Sequence, residues 1–284
     1  MWGVPRSGVC MPPVALPAIH WSGRQWTPLS TAPTDTDTLH IITLNTWFSP
    51  FGRTQRLRAQ LAALGSRSPD VICLQEVTDD LLDLLLDCPW VRADYAMVSE
   101  PHRPLASHGY GLALLAKRTL VKAFSWTPLK SDMGRSLLVA ELGEGVHVGT
   151  VHLESMRGYG SARAQQLTAC TQLLSPAKTA LLLGDFNFDP TESDAPPLGP
   201  WLDLWSVAHP HDPGFTADGV INSMRRRPGI PPMQRRIDRA VLSDATGGWK
   251  LDCIALFGTK PVGPHLWMSD HFGLELTMQR TLER

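Results

Sequence analysis

The sequence has no excess of either charge and no paired cysteines. Its 26 Lys and Arg residues are matched by 27 Asp and Glu residues, which gives a formal net charge of -1. No global positive field therefore draws the chain onto nucleic acid, and any such attraction has to come from a local patch. The 5 cysteines are odd in number, widely spaced and free of any C-x-x-C pair. This argues against a disulfide framework and a zinc knuckle, and we expect buried thiols in a reducing setting.

Long apolar runs are also missing. No segment reaches the roughly 18 uninterrupted apolar residues that a membrane-spanning helix needs. The apolar stretch near the N-terminus contains Pro12, Pro13 and Pro17, which suits neither a secretory signal nor a membrane helix. No repeat of solenoid length is visible. We therefore expect a cytoplasmic protein, or a nuclear one in a eukaryote, that is monomeric and has no membrane partner.

The chain divides into two parts of different character. Residues 1–37 are rich in Pro, Ser, Thr and Trp, and we expect an irregular extension with a strand pair around residues 20–26 laid on the main domain. Residues 38–284 are the predicted catalytic domain, in which strand patterns dominate. Helical patterns follow every one or two strands, at 53–64 (closed by Gly65), 79–87 and 162–174. This order favours an α/β fold, a four-layer sandwich of two mostly antiparallel sheets flanked by helices.

Polar side chains follow the apolar runs of several predicted strands. In layered α/β folds, ligands bind outside the carboxyl ends of strands. An acid after a buried apolar run is costly unless it is paired or binds a cation, and this occurs at Glu76, Asp185 and Asp270. The complete set of strand-end groups is Asn45, Glu76, His152, Asp185 with Asn187, and Asp270 with His271.

These residue types fit the chemistry of a phosphate ester. Oxygen ligands without a Cys/His cluster suit a hard cation, Mg²⁺ or Mn²⁺, rather than zinc. Such an ion polarises a phosphoryl oxygen and neutralises developing charge. Neutral Asn and cationic His side chains can then serve the remaining oxygens. The residues therefore indicate hydrolysis of a phosphodiester or phosphomonoester.

Six motifs carry a family resemblance: LNTW, CLQEV, HLES, GDFN, RIDR and SDH, in this order. From about Thr38 to Met278 the chain resembles the endonuclease/exonuclease/phosphatase superfamily of metal-dependent phosphoesterases, whose fold is the four-layer sandwich. Three further segments resemble the type 2 5′-tyrosyl-DNA phosphodiesterases within it: MGRSLL, HLESMRGYGSARAQQL, and the spacing of INSM to RRIDR to SDHFGL. Those enzymes remove a trapped topoisomerase tyrosine from a DNA 5′-phosphate, and related activity on tyrosine–RNA linkages is known.

The resemblance implies a metal and a base. Glu76 would bind Mg²⁺, with Asp270 helping through the shell of the ion, and Asn45 would lie beside the metal and the phosphate. Asp185 would be the general base on the attacking water, and Asn187 would orient that water. The implied partner is a nucleic-acid end, DNA or RNA, as substrate.

The resemblance also implies residues around the phosphate. His152, Ser155 and His271 would stabilise the charged transition state, and Asp238 would orient neighbouring groups. The positions that would contact substrate are Tyr110 and Arg135 in the channel, Asn222 near the phosphate, and Phe215.

Two positions depart from the type 2 pattern. Those enzymes carry an Arg shortly after the GDxN motif, where this chain has Phe188, Asp189 and Pro190. They carry a Trp, on which bases stack, where this chain has Ala217. The chain therefore lacks a cation and an aromatic ring that usually contact single-stranded nucleic acid. We hypothesise that Phe215 compensates for the missing aromatic.

Positive charge is densest between two of the site motifs. We expect this run either to track a nucleic-acid backbone or to be a solvated loop. It consists of Arg225, Arg226, Arg227, Arg235, Arg236 and Arg239. We interpret His209 and His211 as loop-surface residues rather than metal ligands.

Two other functions stay open. The same machinery could act on another phosphoester, as an endonuclease, a processor of RNA ends or cyclic phosphates, or a sphingomyelin or inositol phosphatase. The chain could also be a catalytically dead binding module, although the intact strand-end residues argue against that.

Overall fold

Two sheets, of seven and eight strands, pack face to face in the computed structural model, which describes residues 12–30, 32–99 and 109–281. The helices α1 to α5 are Arg53–Arg67, Asp79–Asp87, Pro89–Asp94, Gly160–Leu174 and Leu204–Ala208. The strands β1 to β17 are Val14–Leu16, Ile19–Trp21, Trp26–Pro28, Thr38–Asn45, Val71–Val77, Tyr95–Ser99, Gly111–Lys117, Val121–Pro128, Ser136–Leu142, Val146–His152, Thr179–Asp185, Leu202–Asp203, Ala217–Asp218, Gln234–Arg235, Asp238–Asp244, Trp249–Phe257 and Gly273–Arg280.

The apolar residues of each strand alternate between two cores. In β4, Ile41 faces the core between the sheets, whereas Ile42 faces α1, α2 and α3 on the outside. In β11, Leu181 faces the same central core, whereas Leu182 packs under α4. Both sheets are thus buried on two faces, which explains the continuous apolar runs of these strands. The prediction of a four-layer α/β sandwich is confirmed.

The sheet order brings several strand ends to one edge. The seven-stranded sheet runs β1-β8-β9-β10-β11-β15-β12, and the eight-stranded sheet runs β16-β17-β4-β5-β7-β6-β2-β3. Strands β4 and β5 are parallel, as are β10 and β11. Strands β15 and β17 are antiparallel to these pairs, so their first residues lie beside the last residues of β11 and β4. The carboxyl ends of four strands and the start of two more therefore meet at one edge.

Helix α1 is longer than its pattern predicts. It continues through Gly65 to Arg67 and ends at Ser68, which adopts a left-handed conformation with φ 45°. Gly65 is inside the helix because the ring of Trp90 packs against its backbone: a Cβ at this position would lie 2.6 Å from Trp90 Nε1. The glycine is a packing site and does not end the helix, so the prediction of an end at residue 64 was wrong.

The segment before residue 38 is only partly irregular. The expected strand pair is present as β2 and β3, and β2 joins β6 at one edge of the eight-stranded sheet. Strand β1 pairs with β8 at an edge of the other sheet. The segment therefore extends both sheets, and the domain boundary at residue 38 stays a prediction.

The cysteines differ in burial. Cys73 and Cys170 are buried as expected, but Cys88 is half-buried and Cys253 is exposed, so the expectation of buried thiols was wrong for Cys253. Strand β16 places Cys253 on a face that the sequence did not distinguish. Cys10 lies outside the described residues. Within the described ranges, no helix is long and apolar enough to cross a membrane.

Candidate active site

Asn45 links the two sheets at the edge where the strand ends meet. It is the last residue of β4, and Asp185 is the last residue of β11 in the other sheet. The Nδ2 atom of Asn45 donates to Glu76 Oε1 and to Asp185 Oδ2, both at 3.0 Å. All three side chains are buried. One amide group therefore holds two carboxylates, from different sheets, within reach of a single ligand.

Glu76 reaches the cluster through an unusual backbone conformation. Its φ is 55°, a left-handed value that is uncommon for a residue other than glycine. The pairing of β5 with β7 is irregular between Leu74 and Val77, so the carboxylate leaves the regular strand pattern there. Its second oxygen accepts from the backbone N–H of Phe48 at 3.0 Å. The pKa of Glu76 is raised overall, because burial and the negative charge of Asp270 outweigh the opposing effect of His271.

Asp185 lies between two histidines. Its Oδ2 atom is 3.4 Å from His152 Nε2 and 4.0 Å from His271 Nε2. Its Oδ1 atom accepts from the backbone N–H of Asn187 at 2.9 Å. Burial and the neighbouring Asp238 raise the pKa of Asp185 to about 6, against the opposing effect of His271. A carboxylate with a pKa near neutrality can take a proton from water and release it again.

His271 is held as a cation. Its Nδ1 atom lies 2.8 Å from Asp238 Oδ2, and Asp238 is the first residue of β15, directly opposite Asp185 in register. Burial lowers the pKa of His271, but the carboxylates of Asp238 and Asp270 raise it to about 9 overall. The ring is therefore protonated at neutral pH. It donates to Asp238 and turns its Nε2–H toward Asp185.

His152 is neutral, in contrast to the expectation of cationic histidines. Burial lowers its pKa well below the usual value, and the positive charges of Arg135 and His271 lower it further. Arg135 Nη1 lies 3.0 Å from His152 Nδ1. Since a guanidinium can only donate, Nδ1 is the acceptor and the ring carries its proton on Nε2, facing Asp185. The sequence did not indicate that His152 is buried beside Arg135, whose charge adds to the effect of burial.

Asp270 is bound to an arginine. Its Oδ2 atom accepts from Arg225 Nη1 at 2.7 Å, whereas its buried Oδ1 atom has no hydrogen-bond partner within the described ranges. Ser269 holds this strand end against β4, because its hydroxyl donates to the carbonyl of Asn45 at 2.6 Å. Asn222 Nδ2 donates to the Ser269 carbonyl at 2.9 Å, so Asn222 fixes the turn that carries Arg225.

Other predicted residues lie at the margin of the cluster. Tyr110 stacks on the ring of His152, with centroids 6.0 Å apart. Ser155 Oγ donates to Met133 Sδ at 3.2 Å and not to a carboxylate. Asn187 Nδ2 donates to the carbonyl of Leu153 at 2.9 Å. Phe215 is half-buried and makes no hydrogen bond or ring contact with the cluster in the described part of the chain.

The arginine run does not form one surface. Arg236 and Arg239 are buried, and both pair with Asp203. Arg235 pairs with Glu192, and Arg225 pairs with Asp270. The expectation that six arginines track a nucleic-acid backbone is therefore wrong for the buried pair, because an acid 33 to 36 residues upstream draws them into the core.

Two contacts of this region were not predicted: Phe48 was not singled out in the sequence, and Arg225 was noted only as part of the arginine run. Phe48 and Arg225 contact Glu76 and Asp270, yet neither stands at the end of an apolar run. Glu154, within the HLES motif, is buried and accepts from Ser131 Oγ and Gln166 Nε2. It therefore fastens α4 to the loop before β9 instead of facing the cluster. The motif itself could have singled out Glu154, but its contacts are with residues 12 and 23 positions away.

The donor atoms fit a hard divalent cation. Glu76, His152 and Asp185 each offer an atom within 4.8 Å of the others, and so do Asp185, Asp238 and His271. The carboxylates of Glu76 and Asp185 offer the oxygen ligands that Mg²⁺ prefers. Asp270 Oδ1, which has no hydrogen-bond partner in the described part of the chain, is a further oxygen at this edge.

A sequence profile described as the endonuclease/exonuclease/phosphatase family matches residues 42–271, which is most of the chain. The chain belongs to this family. The prediction made from the six motifs is thereby confirmed, and all the strand-end groups described above lie inside or at the end of the matched range.

Within the family, the chain is similar to tyrosyl-DNA phosphodiesterase 2 of several animals. It is 28% identical to that protein of Xenopus tropicalis over 237 residues, which cover 78% of this chain and 60% of the relative. It is 26% identical to that of Mus musculus over 273 residues, which cover 90% of this chain and 70% of the relative. The chain thus spans 60% of the length of the frog relative it matches.

Two solved structures share the fold. The crystal structure of D. rerio TDP2, complexed with a single-strand DNA product, superposes with a TM-score of 0.73 at 23% identity and covers 86% of this chain and 100% of that chain. The human Nocturnin catalytic domain with a bound sulfate anion gives a TM-score of 0.64 at 17% identity, covering 86% of this chain and 94% of that chain.

Proposed function

We propose that this chain is a Mg²⁺-dependent phosphodiesterase, Mn²⁺ being an alternative ion, which hydrolyses a phosphoester at a nucleic-acid end. The proposed bond is a 5′-tyrosyl linkage to DNA or RNA. The observation that carries the proposal is the double hydrogen bond of Asn45 to Glu76 and Asp185. It holds acids of two sheets around one space, with a histidine on either side of Asp185. The names of the relatives support the choice of linkage.

The metal would be held by carboxylate oxygens. Glu76 would be the direct ligand, and Asp270 would act through the shell of the ion, since Arg225 already binds one of its oxygens. A bound Mg²⁺ would polarise a phosphoryl oxygen and neutralise charge that develops on it. Arg225 fixes the direction of the Asp270 carboxylate by donating to its Oδ2 atom.

Asp185 is the proposed general base. As the oxygen of a water molecule attacks phosphorus, one of its protons passes to the Asp185 carboxylate, and the bond from phosphorus to the tyrosyl oxygen breaks. Asn45 and the backbone N–H of Asn187 fix the two oxygens of this carboxylate. The side-chain Nδ2 atom of Asn187 donates to the carbonyl of Leu153. The Oδ1 atom of Asn187 is therefore left to accept a hydrogen bond from the attacking water.

Two histidines would serve the oxygens of the transition state. His271 supplies a positive charge that Asp238 holds in place, and His152 supplies a neutral N–H that Arg135 holds in place. Such fixed donors stabilise charge as it develops without reorganising. Ser155, whose hydroxyl donates to Met133 Sδ, would act at the edge of the site.

The substrate would enter past Tyr110 and Arg135, which border His152, with Asn222 beside the phosphate and Phe215 further out. These four assignments stay predictions, as do the cytoplasmic location and the monomeric state.

A substrate panel tests the proposal. Purified protein with Mg²⁺ is incubated with 5′-tyrosyl DNA, 5′-tyrosyl RNA, duplex DNA, cyclic-phosphate RNA and an inositol phosphate. We expect the highest kcat/KM on a 5′-tyrosyl strand and none after chelation of the metal. A higher value on another substrate would move the assignment to that phosphoester, and no hydrolysis at all would favour a binding module.

A further inference from the structure

Phe48 is exposed, although it lies beside the buried carboxylates. It follows β4 in the loop that leads to α1, and 43% of its surface is accessible. Its backbone N–H donates to Glu76 Oε2 at 3.0 Å. A large apolar ring held in water next to a polar site is unfavourable for folding alone, since burial of such a ring is what stabilises a protein.

The loop that carries Phe48 is held in one conformation. Arg56, fully buried in α1, donates to the carbonyls of Thr46 at 2.9 Å, Trp47 at 3.2 Å and Ser49 at 2.5 Å. Trp47 has φ 62°, and its backbone N–H donates to Asn45 Oδ1 at 3.0 Å. The position of the Phe48 backbone is therefore determined from both sides.

The ring of Phe48 ends a column of three rings. It stacks on Tyr110 with centroids 4.7 Å apart and an interplanar angle of 21°. Tyr110 in turn stacks on His152 at 6.0 Å and 29°, and His152 Nε2 lies 3.4 Å from Asp185 Oδ2. The column thus leads from the proposed base to the surface. Tyr110 covers one face of the Phe48 ring, and Phe48 still remains 43% exposed.

We propose that Phe48 is a stacking platform for a planar aromatic ring joined to the scissile phosphate. The ring is either the base of the terminal nucleotide or the tyrosyl group, and both have the flat π-face that stacks on an aromatic side chain. The inference rests on the proposed phosphodiesterase function. It adds a specificity-determining residue that neither the strand-end pattern nor the arginine run indicates.

Equilibrium binding tests the platform without requiring turnover. Asp185→Asn protein with Mg²⁺ binds three single-stranded ligands: a 5′-tyrosyl oligonucleotide, the same with an abasic first nucleotide, and the same with an alkyl group in place of tyrosyl. The affinity for each ligand is measured by fluorescence anisotropy, first for Asp185→Asn alone and then for double variants that also carry Phe48→Ala, Phe48→Leu or Phe48→Trp. Phe51→Ala is the matched control, because Phe51 lies in the same loop, is 57% exposed and packs on Trp47 instead of Tyr110.

For the 5′-tyrosyl ligand we expect Phe48→Ala and Phe48→Leu to weaken binding by about 5- to 100-fold, the range that one stacked base gives. Phe48→Trp and Phe51→Ala should stay near the parent. The penalty should vanish on one of the other ligands: on the abasic one if Phe48 stacks the base, on the alkyl one if it stacks the tyrosyl ring.

Two results would overturn the platform: no weakening by Phe48→Ala, or the same weakening on all three ligands, which would mean that the ring only supports Glu76 and Tyr110. Failure of the proposed function has a different signature, the absence of hydrolysis by the wild-type protein in the substrate panel.

Discussion

His152 and His271 flank Asp185 with opposite protonation states, which burial and the neighbouring charges set together. Arg135 donates to His152 and keeps it neutral, whereas Asp238 accepts from His271 and keeps it charged. Burial lowers the pKa of both rings, so the carboxylates of Asp238 and Asp270 beside His271 make the difference between them.

Asp238→Asn should lower kcat by about 10- to 100-fold, the usual cost of losing a group that orients an active-site residue. The amide cannot hold a cationic His271 as the carboxylate does, so stabilisation of the transition state falls. Binding of substrate should change little, so KM is the internal control. Unchanged kcat would mean that Asp238 does not position His271 for the reaction.

Glu76→Ala should raise the Mg²⁺ concentration needed for half-maximal activity, because the proposed direct ligand is lost. The measurement is a titration of activity with Mg²⁺ for both proteins. Glu141→Ala is the control, since that glutamate pairs with Lys122 on a sheet strand. A titration curve identical to the wild type would remove Glu76 from the metal site.

At the scale of the elements, strand β11 positions the proposed base through its glycine. Gly184 has φ 135°, and a Cβ there would lie 2.0 Å from the carbonyl oxygen of Val151 in β10. Only glycine lets β10 and β11 stay in the register that places His152 opposite Asp185.

Gly184→Ala should therefore destabilise the protein by about 2–4 kcal/mol, as overpacking and backbone strain add. Activity should fall as well, because His152 and Asp185 separate. Urea unfolding and turnover are measured beside Gly199→Ala, where φ is 58° and a Cβ meets nothing within 4 Å. Equal effects of the two substitutions would contradict this view of Gly184.

Asp203 joins three elements by charge. It ends β12 and accepts from the backbone N–H of Ser206 at the start of α5. It also pairs with Arg236, just before β15, and with Arg239 in β15. Burial raises the pKa of Asp203, but the two guanidinium groups lower it below its usual value overall. The ionised form is thus favoured by folding. Its contribution to stability is present above the unfolded pKa of about 3.9 and is lost as the pH falls through the folded value.

Asp203→Asn should cost about 3 kcal/mol at pH 7, the lower end for breaking a buried ion pair. The asparagine can still cap α5, so the loss reports charge. As the pH falls from 5 to 3, the wild type loses the stability that ionised Asp203 contributes, whereas the variant has no carboxylate to protonate at this position. The difference in unfolding free energy between the two proteins should therefore shrink over this range. Urea unfolding across that range is the measurement, and a deficit independent of pH would contradict the assignment.

At the scale of the whole molecule, the sequence predicts the layers and the strand ends because both are local patterns. The apolar runs before Asn45 and Asp185 can be found in a few residues, and the order of strands and helices then restricts the fold. The contact of Asn45 with Asp185 spans 140 positions and forms only when the two sheets pack together. The apolar runs alone therefore do not predict it.

Features that depend on the packed fold were missed for the same reason. The stack of Phe48 on Tyr110 and the burial of Arg236 against Asp203 depend on loops and distant partners with no period of their own. The left-handed Glu76 is another case, because the motif gives the residue but not the backbone conformation that aims it.

The central claim is that Asp185 acts as the base in a metal-dependent hydrolysis. Its most direct test is the turnover of a 5′-tyrosyl oligonucleotide by Asp185→Asn with Mg²⁺, beside Asp252→Asn on the exposed surface of β16. The account predicts a loss of about 10²- to 10⁴-fold for Asp185→Asn, the usual contribution of a general base, with an unchanged fold by circular dichroism and full activity in the control. Turnover by Asp185→Asn equal to the wild type would contradict it.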